Sequence, residues 1–227
     1  CVVVSAPSQD AEVCSVIEAE CAKLQVPLRV PEAEDVRVLW QTLKENHMDY
    51  GGYEVSLRMP GVHQAENAAV AIEAALALCD LGYTITDEAI LAGLAKTKLP
   101  ARIELVCTDP LTVIDGAHNP NGIATLAKTL REAKQPLMTG IIGMMRDKDV
   151  SALAALTPQF DCVYTVPACA DARSFTPDEL AAHCAAYFKQ VEATPDLAAA
   201  LKRAKQRGRG ICICGSLYLA GEAEKFY

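Results

Sequence analysis

Apolar positions along the chain recur with two different periods, and the period tells which element each segment forms. Val2 to Ser5 is a continuous apolar run that reads as a strand. From about Asp10 to Leu24, Val13, Ile17 and Cys21 recur every fourth residue, as on one face of a helix. A second short strand is expected near Pro27 to Val30. Tyr50-Gly51-Gly52-Tyr53 has the composition of a hairpin turn, and Glu54 to Met59 then alternates as a half-buried strand does. Gly61-Val62-His63-Gln64-Ala65-Glu66-Asn67 leads into an alanine-rich helix that ends near Cys79.

Beyond Pro100 the punctuation becomes regular. Apolar runs at Thr112–Asp115, Leu137–Gly143, Cys162–Val166, Val191–Ala193 and Ile211–Gly215 alternate with helical patterns. This alternation is the signature of an α/β fold with a parallel sheet covered on both faces. Thr176-Pro177-Asp178-Glu179 combines a capping threonine, a proline at the first helical position and a glutamate at the third, and Thr194-Pro195-Asp196 repeats the threonine–proline start. Lys96 to Pro100 reads as an extended linker. Residues 1–99 and 100–227 are therefore expected to form separate domains. Charge supports the division: 7 basic and 15 acidic residues precede the break, and 14 of each follow it.

The 227 residues are 51% hydrophobic and 22% charged, which excludes disordered and fibrous classes. Lys and Arg number 21 against 29 Asp and Glu, a net charge of −8 that repels nucleic acid and anionic membrane surfaces. An anionic ligand must consequently find a local basic site. No run approaches the roughly eighteen apolar residues of a membrane span, and no signal peptide is recognisable, so a cytoplasmic protein is expected. The ten cysteines lack any C-x-x-C pair and the four histidines do not cluster, which argues for reduced core thiols and against a structural zinc site. A Walker-type phosphate loop is absent.

Candidate chemistry concentrates at strand ends. Leu111 to Gly122 runs from a buried strand through Asp115, Gly116, Ala117, His118 and Asn119 into a helix. In an open parallel sheet, ligands bind beyond the carboxyl ends of strands. There a carboxylate can hold sugar hydroxyls or a metal, and an imidazole can touch phosphate or carry a proton. The same residues also make ordinary turns. Arg102, just after the linker, either clamps phosphate or pairs with Glu104 in solvent. The loop Gly143-Met144-Met145-Arg146-Asp147-Lys148-Asp149 is either a ligand site or a self-neutralising cap on the helix expected near Asp149. Ser216 follows the last strand, without the G-x-S-x-G elbow of a nucleophilic serine.

In this order the segments Val4-Ser-Ala-Pro-Ser-Gln9, Gly61 to Ala68, Leu99-Pro-Ala-Arg102, Asp115-Gly-Ala-His118-Asn-Pro, Gly143 to Asp149 and Cys214-Gly-Ser216-Leu-Tyr-Leu resemble the folylpolyglutamate synthase and dihydrofolate synthase branch of the Mur ligase superfamily. The resemblance implies a Rossmann-like C-terminal domain at 100–227, preceded at 1–99 by the incomplete tail of an α/β central ATPase domain. It implies an ATP-dependent ligase that activates a carboxylate of dihydropteroate or folate as an acyl phosphate for attack by the amine of L-glutamate, in a cytoplasmic enzyme that is monomeric when full length. Asn67 is then expected on adenine, Arg102 on the phosphates and Asp115 on the ribose, with His118 beside the reacting groups. Lys148, Arg173 and Ser216 are weaker candidates for glutamate. The family's phosphate loop, its modified lysine and most Mg2+ ligands have no counterpart after Cys1, so a C-terminal fragment, inactive by itself, is expected. Ala101 stands where the family often has glycine. On the residues alone, another Mur-type amide ligase, a metal-dependent hydrolase using Asp115, His118 and Asn119, and a non-catalytic nucleotide- or amino-acid-binding module also stay open.

Overall fold

A computed structural model describes residues 1–227, which divide into two compact units, Cys1–Lys98 and Leu99–Tyr227. In the first, strand β1 (Val3–Val4), helix α1 (Ala11–Leu24) and strand β2 (Leu28–Arg29) form a right-sized crossover, with the two short strands paired in parallel. An antiparallel sheet follows, made of β3 (Val36–Gln41), β4 (Asn46–Tyr50) and β5 (Tyr53–Leu57). Tyr50 pairs directly with Tyr53. The two residues between them, Gly51 and Gly52, have φ of +57° and +93°, which glycine adopts without the Cβ penalty. Met48, Tyr50, Val55 and Leu57 project from the sheet onto Ala65, Ala68, Ala69 and Ile72 of helix α2 (Val62–Asp80) and Ile90 of helix α3 (Asp87–Lys96). The small alanine side chains let α2 lie close to the sheet. Neither β3 nor α3 is marked by the sequence pattern; Thr86 caps α3 by accepting the Ala89 N–H at 3.2 Å.

The second unit is built on strands β6 (Glu104–Thr108), β7 (Leu111–Ile114), β8 (Met138–Ile142), β9 (Phe160–Thr165), β10 (Val191–Ala193) and β11 (Ile211–Cys214). Their spatial order is β10-β9-β8-β11-β7-β6. All neighbours are parallel except β6, an antiparallel edge strand absent from the sequence reading. Helices α4 (Pro120–Glu132), α5 (Pro177–Cys184), α6 (Leu197–Gln206) and α7 (Leu217–Ala223) complete the unit. Ile123, Leu126 and Leu130 of α4 are fully buried. Leu197 and Leu201 of α6 and Leu219 of α7 share a core cluster with Ile114, Ile141 and Ile213 of the sheet. No helix is long and apolar enough to cross a membrane.

Two helix starts turn out differently. Thr176 and Glu179 form the reciprocal capping box expected from sequence. The second helix begins later, at Leu197, because Asp196 is the better cap and accepts the Ala199 N–H at 2.7 Å. Thr194 is instead buried, donating its hydroxyl to the Thr165 carbonyl at 3.0 Å. Near Asp149 the element is a 3-10 helix, Val150–Leu156, with Asp149 accepting the Ser151 N–H.

Candidate functional site

Strand β11 lies between β7 and β8, so the connections leaving these strands diverge and open a crevice at their carboxyl ends. A cavity of about 390 Å³ lies there, lined by His118 after β7, Met145, Asp147 and Lys148 after β8, Arg173 from the loop after β9, and Ser216, Leu217 and Tyr218 after β11. The volume is that of an ordinary small-ligand site. Four of the residues named from sequence, His118, Lys148, Arg173 and Ser216, are thus brought together. Arg102 and Asp115 lie in the same unit but outside the lining. Asn67 belongs to the first unit, exposed on α2, where its amide donates to Gln64 Oε1 at 3.1 Å.

Backbone pairing aligns the loops. The Arg146 N–H donates to the Arg173 carbonyl at 2.7 Å and the Phe175 N–H to the Met144 carbonyl at 3.0 Å, with an antiparallel bridge between Met145 and Ser174. This pairing sets Lys148 and Arg173 at one cavity, an arrangement that no short motif announces. The charged loop after β8 proves divided in purpose. Arg146 turns away to a bidentate pair with Glu179, whose carboxyl it holds down at about 2, and lies over the Phe175 ring. Asp149 caps its 3-10 helix. Lys148 remains on the cavity, 2.9 Å from Asp147, and holds the Asp147 carboxyl below its ordinary range. Arg173 pairs with Asp171 at 3.0 Å.

His118 has one ring nitrogen committed: Nδ1 donates to the Gly116 carbonyl at 2.8 Å, leaving Nε2 for a ligand. Ser216 is 3% exposed, and its hydroxyl accepts the Tyr218 N–H at 3.1 Å as the cap of α7. Beneath it Gly215 has φ +103°, and a Cβ there would meet the Gly143 carbonyl oxygen at 2.7 Å, so only glycine lets β8 and β11 approach at the cavity floor.

Asp115, which the resemblance sets on the ribose, is a buried carboxylate with both oxygens engaged by the backbone. It is 6% exposed; Oδ2 accepts the Ile103 N–H and Oδ1 the Ala117 N–H, each at 2.8 Å. Burial raises its pKa to about 6, against the lowering effect of the two backbone donors and of Arg102 and His118. Asn119 is occupied as the cap of α4, accepting the Gly122 N–H at 2.8 Å. No group of three or more His, Cys, Asp or Glu side chains converges as a metal site, so the donor set a metal-dependent hydrolase requires is not formed. The ten cysteines are all free.

Residues 101–217, which contain every strand end of this cavity, match the family model of the Mur ligase, glutamate ligase domain. The chain belongs to that family. A folylpolyglutamate synthase of Lacticaseibacillus casei is 40% identical over 123 residues, 52% of this chain and 29% of that protein. A UDP-N-acetylmuramoyl-L-alanyl-D-glutamate–2,6-diaminopimelate ligase of Corynebacterium glutamicum is 32% identical over 111 residues, 48% of this chain and 20% of that one. The solved structure of Mycobacterium tuberculosis folylpolyglutamate synthase complexed with ADP superposes with a TM-score of 0.88 at 29% identity, covering 99% of this chain and 54% of that one. The Mur ligase chain described here therefore spans about half the length of such solved relatives, and less of the curated ones.

Proposed function

We propose that this chain is the glutamate-binding part of an ATP-dependent ligase of the folylpolyglutamate synthase and dihydrofolate synthase type, adding L-glutamate to folate or dihydropteroate. The observation that carries the reading is the charge pattern of the cavity. Two cations, Lys148 and Arg173, and one anion, Asp147, line it, and glutamate offers the complement: two carboxylates and one ammonium. In a chain of net charge −8 these two cations, paired with Asp147 and Asp171, are the charges an anionic amino acid would engage by exchange with those carboxylates.

In this reading His118 Nε2 accepts or relays a proton near the attacking amine, and Ser216 and the backbone around it shape the floor. Arg102 holds the phosphates and Asp115 belongs to the nucleotide side of the second unit, while Asn67, in the first unit, keeps the adenine role that the resemblance implies. ATP supplies activation of the acceptor carboxylate as a mixed anhydride. The residues fit an anionic nucleotide where Arg102 stands exposed. No group of three or more His, Cys, Asp or Glu side chains gathers in the chain, so a magnesium ion held with the nucleotide would lean on phosphate oxygens and residues outside this chain. A cytoplasmic, monomeric enzyme goes with this reading.

The test is steady-state kinetics of the complete gene product with ATP, L-glutamate and either dihydropteroate or a reduced folate. ADP release should require glutamate, and Lys148→Ala and Arg173→Ala should each raise the KM for glutamate. Release indifferent to glutamate, or an unaltered KM in both variants, would overturn the assignment. The C. glutamicum similarity supports a second reading, an amide ligase of the cell-wall type, which the same assay distinguishes by its acceptor.

A further inference from the structure

Ala101 and Ile103 have φ of +55° and +52°. Neither is glycine, and for a β-branched residue such as Ile103 the left-handed region is an outlier. Strain of this kind persists only where the surroundings hold it in place, and it gathers at sites that position a functional group. Here the group between the two strained residues is Arg102. Ala101 is 5% exposed and Ile103 2%, while the guanidinium-bearing residue between them is exposed.

The restraints come from one short turn. The Asp115 carboxylate accepts the Ile103 N–H through Oδ2, and the Gly116 N–H donates to the Ala101 carbonyl at 2.8 Å. Glu104 Oε2 accepts the Ala101 N–H at 3.0 Å. The other carboxylate oxygen of Asp115 accepts the Ala117 N–H, and the Gly116 carbonyl accepts the His118 ring N–H. A single buried carboxylate thus ties the loop that carries Arg102 to the turn that carries His118. We infer that Asp115 is a positioning residue: it holds the left-handed Ala101–Ile103 turn against residues 115–118, so that Arg102 and His118 keep a fixed spatial relation. The inference rests on the ligase reading above and changes the part given there to Asp115, from touching the nucleotide to aiming the residue that does.

The test is a double-mutant cycle of Asp115→Asn and Arg102→Ala in the complete gene product, with kcat and the KM for ATP measured separately. Asp115→Asn and Arg102→Ala should each raise the KM for ATP about tenfold, and the KM of the double variant should lie within about twofold of that of Arg102→Ala, because no guanidinium is left to misplace. A purely structural role would lower kcat through the active fraction and leave that KM unmoved. Direct contact of Asp115 with ribose would make the two effects multiply. Either result overturns the inference while leaving Arg102 on the phosphates. An Arg102→Ala enzyme with unchanged kinetics would instead overturn the phosphate assignment, and with it any action of Asp115 through Arg102. If Asp115→Asn yields too little folded enzyme, the cycle is run in the Ala101→Gly background, where glycine removes the left-handed penalty at 101. There Asp115→Asn should give more folded enzyme than in the parent and raise the KM for ATP in the Arg102 form but not in the Arg102→Ala form; a KM unmoved in both, or raised equally in both, counts against the inference.

Discussion

The buried carboxylate of Asp115 makes the stability of the second unit depend on pH in a direction opposite to that of a salt-bridged aspartate. Its folded pKa of about 6 exceeds the ordinary 3.8, so the native state binds this proton more tightly than the unfolded chain does. The stabilisation is complete below the unfolded value and is lost as pH rises through the folded one, between about pH 4 and 6. A separation of about 2 units at 1.36 kcal/mol each corresponds to a loss of about 3 kcal/mol across that window. The perturbation is Asp115→Asn, which removes the titration while retaining one acceptor oxygen. Urea unfolding of both proteins at a series of pH values between 3.5 and 7.5 gives the difference in unfolding free energy, in which the other carboxylates cancel. The parent should lose about 3 kcal/mol relative to Asp115→Asn over the window. A parent that gains stability relative to the variant as pH rises would refute the reasoning, because it would mean that the two backbone N–H donors outweigh burial.

Other expectations follow from single contacts. Gly215→Ala forces a Cβ to 2.7 Å from the Gly143 carbonyl at φ +103°, and it should lower stability by about 2 kcal/mol or more, read by thermal melting. Asp196→Ala removes the cap of α6 and should cost about 1 kcal/mol in chemical denaturation, whereas Thr194→Val tests a buried hydroxyl and not a cap. In NMR titrations of this chain with L-glutamate, shifts should cluster at His118, Lys148, Arg173 and Ser216, and Lys148→Ala should weaken them at the other three.

Much of the architecture could be read from residue pattern because the central parallel strands of the second unit are largely apolar and buried and the strands are separated by helices with marked starts, as at Thr176 and Glu179. Elements without that contrast were not legible. Strand β6 is a partly exposed edge whose Glu104-Leu105-Val106 mixes polarities, and β3 alternates so loosely, with exposed Leu39 and Trp40, that no buried face stands out. The Thr194 start misled because its hydroxyl is spent on a strand carbonyl. At the site, the motifs located His118 and Ser216 correctly at strand ends, since chain direction alone determines which end of a strand faces the crevice. The joining of Lys148 to Arg173 was legible only through the family resemblance and not from local pattern, for it depends on a bridge between loops nearly thirty residues apart. The burial of Asp115 was hidden too: its partners are backbone amides, and one of them, the Ile103 N–H, comes from a turn twelve residues upstream that no side-chain pattern marks.

The position of β11 has a consequence for biosynthesis. This strand is the last of the sheet to leave the ribosome, yet its hydrogen-bonding partners on both sides, β7 and β8, emerge much earlier. Until residues 211–214 clear the exit tunnel, the nascent sheet has a vacant slot at its middle, with two edges facing each other across the width of a missing strand. A translation arrest just after α6 should therefore yield a species that chaperones and proteases recognise. The chain carried through Tyr227 and released should yield one that they ignore.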